Sequence, residues 1–225
     1  MRMKAAIFDM DGLLIDSEPL WQEAEIKIFE SVGVPLTREL CHETIGVRLD
    51  EVVRHWYRKF PWHGESVESV EARILEEVSQ LIIKRGKPMP GVRTAIDKLI
   101  AAKYELAVAS SSPMQLIRTA LETFELLESF SVLHSAETEV KGKPHPAVYL
   151  STMSRLGADP GHCVAFEDSA AGVRAAKGAG AWVIAVPDPA DSANPAFADA
   201  DVVLKSLTDF SMGHVSGSGL GVSLS

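Results

Sequence analysis

Basic residues, cysteine and long apolar runs are all scarce in this chain. Its 225 residues carry 22 Lys and Arg against 31 Asp and Glu, a net charge of −9. That balance argues against nucleic acid as a partner, because nucleic-acid binding needs a basic face. It leaves room for a local basic pocket that would hold a phosphate. The two cysteines, Cys41 and Cys163, form no CxxC pair. They read as reduced thiols of a cytoplasmic protein, although spacing alone leaves a disulfide open. No apolar stretch is long enough to span a bilayer, so no membrane role is expected. The basic start is followed by only a short apolar run before Asp9 and Asp11, which argues against a signal peptide. No histidine pair has metal-ligand spacing, so a loop role suits His145 better than metal ligation. There are no internal repeats.

What is present is ordinary globular material, 46% hydrophobic and 24% charged, enough for a sizeable core. The stretch Lys4-Ala5-Ala6-Ile7-Phe8-Asp9-Met10-Asp11-Gly12 organises it. Four apolar residues in a row predict a strand buried on both faces. The run ends on two carboxylates and a glycine that permits a sharp turn. Ligands of parallel sheets bind beyond the carboxyl ends of the strands, which places Asp9 and Asp11 at the mouth of a site. Two close carboxylates repel unless a cation or a shared proton offsets them. A hard divalent cation such as Mg²⁺ suits oxygen donors. An Asp carboxylate can attack phosphorus, and a second can serve as acid and base. Asp9 is the candidate nucleophile and Asp11 the candidate acid/base. The plainer alternative is that both are strand-end and turn residues.

Residues 17–86 read as all-helical, with helices predicted from Ser17 to about Ser31, over Leu36–Ile45, around Val52–Tyr57 and over Ser66–Arg85. Strand–helix alternation resumes after Gly91, with strands at Leu106–Ala109, Val132–Leu133, Cys163–Phe166, Trp182–Val186 and Val202–Leu204. This pattern predicts an α/β fold: a Rossmann-like parallel sheet core with an inserted small all-helical domain. The expected division is 1–16 and 87–210 for the core, 17–86 for the helical insert, and 211–225 for a Gly/Ser-rich flexible tail. A monomer is expected.

Other candidates stand at or just past strand ends. Ser110 could bind a phosphate oxygen with nearby main-chain N–H groups, with Ser111 beside it. Taken alone, the serines at 110–112 suit capping of the next helix better. Lys143, in Lys-Gly-Lys-Pro-His-Pro, could neutralise both a nucleophile and a phosphate. The alternative is a solvated surface lysine. Glu167 and Asp168 bring a second acidic pair to the same sheet edge, and with Asp9 and the Asp11 main-chain carbonyl could cage Mg²⁺. A helix start is the alternative. Two acidic pairs, a serine and a lysine at successive strand ends together favour a site.

This set resembles the haloacid dehalogenase superfamily of phosphotransferases. The resemblance rests on Phe8-Asp9-Met10-Asp11-Gly12, the strand end at Ser110, Lys143-Pro144 and Glu167-Asp168-Ser169, in the family's order over residues 1 to about 210. The insert then corresponds to the family's small cap. A narrower similarity, to the hexitol and 2-deoxyglucose-6-phosphate phosphatases, rests on Asp9 through Trp21, Gly46-Val47-Arg48, Trp56-Tyr57, Pro61-Trp62 and Lys143 to Pro146. Beta-phosphoglucomutases share the core motifs but carry a cap-side histidine where Trp21 stands here, which favours a hydrolase. True haloacid dehalogenases lack the second aspartate, so Asp11 implies phosphate chemistry. The resemblance implies a Mg²⁺-dependent phosphatase of small sugar or sugar-alcohol phosphates working through an aspartyl-phosphate. It offers Arg48 as a contact to a substrate phosphate, evenly balanced against a surface arginine. Glu18 and Trp21, close after the catalytic loop, are expected to line the pocket, and most other aromatics of the insert to pack its own core. The alternatives are a sugar-phosphate mutase and a non-catalytic phosphate-binding module.

Overall fold

In the computed structural model, which describes residues 4–218, six parallel strands lie in the order β3-β2-β1-β4-β5-β6. They are β1 (Ala5–Phe8), β2 (Glu105–Ser110), β3 (Val132–Ser135), β4 (Cys163–Glu167), β5 (Trp182–Ala185) and β6 (Val202–Val203). The central strand is β1, paired with β2 on one side and β4 on the other. Its four residues are all inaccessible to solvent. They divide between two cores: Ala6 and Phe8 join one, Ala5 and Ile7 the other. Phe8 stacks on its register partner Phe166 with ring centroids 4.5 Å apart. A strand packed on both faces cannot alternate apolar with polar residues, hence the continuous apolar run.

Between β1 and β2 stand α1 (Glu18–Ser31), α2 (Arg38–Cys41), α3 (Leu49–Lys59), α4 (Val67–Arg85) and α5 (Val92–Ala101). The helix predicted over 36–45 is shorter: Thr37 caps α2, and a 3-10 turn over His42–Thr44 follows. The rest of the sheet is crossed by α6 (Met114–Thr123), α7 (Ala147–Leu156) and α8 (Ala170–Gly178). No described helix is long and apolar enough to cross a membrane. The chain leaves and re-enters the sheet unit through two strips that lie side by side. Asp16 N donates to Lys87 O at 2.9 Å, and Met89 N to Leu14 O at 3.0 Å. Leu13, Leu14 and Ile15 are buried there, anchoring the joint.

One expectation is corrected at the C-terminal side. Residues 211–215 do not behave as a free tail. A 3-10 helix begins at Met212, Val215 is fully buried, and Trp182 Nε1 donates to His214 O at 3.0 Å. Val215 and Phe210 have apolar side chains that the sheet unit can cover, which the Gly/Ser count hides. Residues 219–225 of the expected tail lie outside the described residues.

Candidate active site

The strand ends at one edge of the sheet converge on a cavity of about 60 Å³, covered from above by α1, the 3-10 turn and the start of α3. Asp9 follows the last residue of β1 and continues the ladder, its N–H donating to Phe166 O at 3.0 Å. Lys143, in the loop before α7, is buried beneath it. Its Nζ donates to Asp9 Oδ1 at 2.7 Å and to Glu167 Oε1 at 2.6 Å. Lys143 is therefore not a surface lysine: it ties the end of β1 to the end of β4. Tyr149 Oη, from α7, also donates to Glu167 Oε1.

Burial pushes Asp9 up to about 7; Lys143 pulls the other way, and the charges of Glu167 and Asp11 add to the rise. The same burial, together with Asp9 and Glu167, holds Asp168 well above the usual carboxylate range. Burial works against the charge on Lys143, but its two carboxylate partners outweigh it and hold the ammonium firmly protonated. Asp9, Glu167 and Asp168 thus crowd around a single cation, with Asp11 close enough to Asp9 to add to its rise. Asp9, Glu167 and Asp168 each present a carboxylate oxygen, and these atoms lie within 4.8 Å of one another. An all-oxygen donor set with excess negative charge fits a hard divalent cation. The side chain of Asp11 is not in that group.

Two glycines make the crowding feasible. Gly12 has φ +73°, and a Cβ there would lie 2.1 Å from Asp168 Oδ2. A Cβ on Gly172, in the first turn of α8, would lie 1.9 Å from Glu167 Oε2. Any side chain at either position would drive an acidic group out of the cluster.

Asp11 is held separately. Ser17 Oγ donates to its Oδ1 at 2.6 Å, Trp21 Nε1 to the same oxygen at 2.9 Å, and Ser112 Oγ to Oδ2 at 2.6 Å. Ser17 precedes α1 but makes no side-chain capping bond; its hydroxyl serves Asp11 instead. The serines after β2 likewise do not cap α6, whose N-cap position is Pro113. Ser110 Oγ accepts from Ser112 N at 3.0 Å, and Ser111 Oγ donates to Gly46 O of the helical block at 3.0 Å.

Asp9, Asp11, Glu18, Trp21, Ser110, Ser111, Lys143 and Asp168 all line the cavity. Glu167 lies beneath it, fully buried. Arg48 is the exception. It does not line the cavity; its Nη1 donates to Ala136 O at 3.2 Å and Glu139 O at 2.7 Å, while Nε and Nη2 hold Asp50. A guanidinium whose donors are already taken by main-chain carbonyls and a neighbouring carboxylate is a clamp between the helical block and the loop after β3. His145 stays in its loop, where Nδ1 accepts from Ala147 N at 3.3 Å. Cys41 and Cys163 are free thiols. Trp56 is fully buried, and Trp62 packs edge-on against Phe29 and Tyr57.

Sequence reading missed Ser112, Tyr149, Gly172 and Glu25. The hydroxyl and glycine positions have meaning only against partners far away in the chain. Glu25 carried one local signal, its spacing seven residues after Glu18 and four after Trp21, which sets all three on one face of α1.

A parallel sheet whose strand ends carry an aspartate pair, a buried lysine and a second acidic pair defines the class. The chain belongs to the haloacid dehalogenase-like hydrolase family, which it matches over residues 6–186. It is a phosphatase, a hydrolase of phosphoric monoesters, homologous to hexitol phosphatase B of Escherichia coli K12. The two sequences are 44% identical over 91% of this chain and 93% of the relative. The phosphorylated carbohydrates phosphatase of Thermotoga maritima is 36% identical over 79% of this chain and 82% of its own. The crystal structure of CbbY from Rhodobacter sphaeroides in complex with phosphate superposes with a TM-score of 0.87 at 26% identity, covering 95% of this chain and 99% of that one.

Proposed function

We propose that this protein is a Mg²⁺-dependent phosphatase of small phosphorylated sugars or sugar alcohols, hexose and hexitol phosphates foremost, working through an aspartyl-phosphate on Asp9. The observation that carries this reading is the ion-paired set at the sheet edge. Asp9 is bonded to Lys143 and faces Asp168 and Glu167, with Asp11 two residues away in the same cavity. Asp9, Glu167 and Asp168, with the Asp11 main-chain carbonyl, would hold Mg²⁺. Bound there, the cation supplies positive charge that keeps the carboxylates ionised and draws in phosphoryl oxygens.

Asp9 attacks phosphorus, and Asp11 gives a proton to the leaving oxygen. Lys143 offsets the charge of Asp9, and Ser110 with its neighbouring main-chain N–H groups accommodates a phosphoryl oxygen. Asp11 then takes a proton from the water that cleaves the aspartyl-phosphate. Three donors occupy Asp11, which leaves one of about four lone-pair sites of its carboxyl group to carry the proton passed to the leaving oxygen.

The helices over residues 17–86 act as a cap. These helices and the strand ends line the cavity together, so a hexitol phosphate would enter as the helices lift from the sheet edge. The paired strips at 13–17 and 86–90 are the joint, and the bonds from Ser111 to Gly46 and from Arg48 to the loop after β3 close the lid. Lid closure would exclude bulk water from the acyl phosphate. We also infer a cytoplasmic monomer.

The test is phosphate release from purified protein, with and without Mg²⁺, against phosphorylated sugars, polyols, glycolate and nucleotides. Mg²⁺-dependent release centred on hexose or hexitol phosphates supports the whole reading. Release centred elsewhere keeps the chemistry and discards the substrate. No release from any member, with Mg²⁺ present, overturns it.

A further inference from the structure

Of the acidic side chains lining the cavity, Glu25 has no part in the phosphoryl chemistry. It stands on α1 one turn beyond Trp21, about 6 Å further along the helix axis and away from Asp11. Its residue exposure is only 7%, yet it lines the cavity. Among the described residues no lysine, arginine or main-chain N–H bonds it; its polar neighbour is the thiol of Cys41, a weak donor. A buried carboxyl group without a strong partner is costly unless something else fills its hydrogen-bonding capacity.

Around it the wall comprises Glu18, Cys41 and Thr44 with apolar residues of the helical block. Among the described residues lining the cavity the sole cation is Lys143, and that is already bonded to Asp9 and Glu167 at the opposite end. Arg48, at the start of α3 on the helical block, is held by Asp50 and two carbonyls.

We propose that Glu25, with Glu18, is the specificity-determining group that reads the hydroxyls of a neutral polyol leaving group and turns away a leaving group bearing a second anion. This rests on the phosphatase reading above. A hydroxyl donates and accepts at once, and a carboxyl group can meet it in both roles when it carries its proton. Burial, then the charge of Glu18, pushes Glu25 up to about 8, so the protonated form prevails at neutral pH. A second phosphate or carboxylate on the substrate would give up its water at this end of the cavity, where no described lysine or arginine lines the wall to pair with it. Bisphosphates and sugar acid phosphates are therefore poor substrates, which also separates this cavity from one that must seat a bisphosphate activator.

The experiment compares kcat/KM for a hexitol 6-phosphate, acetyl phosphate and a hexose bisphosphate in wild type, Glu25→Gln and Glu25→Met, each checked for folding by thermal melting. Acetyl phosphate reports the phosphoryl end, since its leaving group has no hydroxyls. In Glu25→Met the hexitol-to-acetyl selectivity ratio falls roughly 10- to 100-fold, mainly through KM, because the hydroxyls lose their partner. Glu25→Gln, which keeps a donor and an acceptor, restores the ratio to within about threefold of wild type. A ratio in folded Glu25→Met within about twofold of wild type overturns the proposal while leaving the phosphatase reading intact. Should Glu25→Met not fold, the wild-type comparison decides: bisphosphate turned over as well as the monophosphate overturns the proposal, and a preference of about 100-fold or more for the monophosphate supports it. Wild type that releases phosphate from none of the three overturns both readings.

Discussion

The floor and the roof of the cavity are held together by different physics. The floor, at the strand ends, is a densely bonded charge network. Lys143 bonds two carboxylates, Tyr149 bonds one of them again, and two glycines give the acids room to crowd. The roof is a helical surface whose acids, Glu18 and Glu25, have one neutral partner each, Gln22 and Cys41. A densely bonded network fixes geometry, as chemistry on phosphorus requires. A sparsely bonded wall keeps hydrogen-bonding capacity in reserve, as recognition of a varied leaving group requires. Floor changes should therefore stop the reaction, and roof changes should retune it.

The hardest way to break that contrast is at the nucleophile. Asp9→Asn replaces a carboxylate with an amide that attacks phosphorus poorly, and phosphate release should fall by about 10⁴-fold or more. Near wild-type turnover in the purified variant would sink the mechanism. Stripping divalent metal with a chelator should cut turnover by roughly 10³-fold, and excess Mg²⁺ should return it. The same addition should raise the melting temperature, since Mg²⁺ at 100 times its Kd adds about 2.7 kcal/mol to the folded state. Lys143→Met leaves Asp9 and Glu167 facing each other without their cation. It should destabilise the protein by about 3–5 kcal/mol in denaturant titration as well as lower turnover.

Gly172→Ala sharpens the comparison, because it adds one carbon beneath the floor and touches nothing in the roof. With Glu167 Oε2 only 1.9 Å from the new Cβ, Glu167 has to move, at a cost of about 1–3 kcal/mol. Activity should fall with it if Glu167 holds the metal; an unchanged kcat and melting point would show the floor to be softer than described. The smallest effect belongs to the roof. The folded pKa of Glu25 lies above its unfolded value, so the folded state holds a proton that the unfolded state releases. Stability therefore falls as pH rises from about 4.5 to about 8. Glu25→Gln removes that loss. Its stability relative to wild type should rise by at least about 1 kcal/mol between pH 5 and pH 8, read as a difference in melting temperature. A difference independent of pH would contradict the burial assigned to Glu25.

How much of this is legible in the chain differs between floor and roof for the same reason. Phe8-Asp9-Met10-Asp11-Gly12 announces itself, since a doubly buried strand must be continuously apolar and the residue after it must face the ligand edge. Ser110, Lys143 and Glu167-Asp168 repeat the signal at later strand ends. The roof gives no such punctuation. Glu18 and Trp21 could be read because they follow the loop closely. Glu25 offers only its shared helix face with Glu18 and Trp21, and Arg48 reads equally as a phosphate contact or a surface arginine, with nothing in the chain naming its carbonyl partners at residues 136 and 139. Ser17 and the serines after β2 read as helix caps, yet Asp11 and Gly46 take their hydroxyls.

The sequence by itself determined the parallel α/β sheet, the helical insertion after the first strand and the residues that gather at the strand ends. Those follow from local periodicity and from the rule that such sheets bind at their carboxyl edge. Only the tertiary structure decided which hydroxyl serves which carboxylate, that Arg48 bonds Asp50 and the carbonyls of residues 136 and 139, that Val215 belongs to the core, and that Glu25 faces the cavity. Each depends on distances between segments remote in the chain, and neither composition nor spacing encodes a distance that folding alone creates.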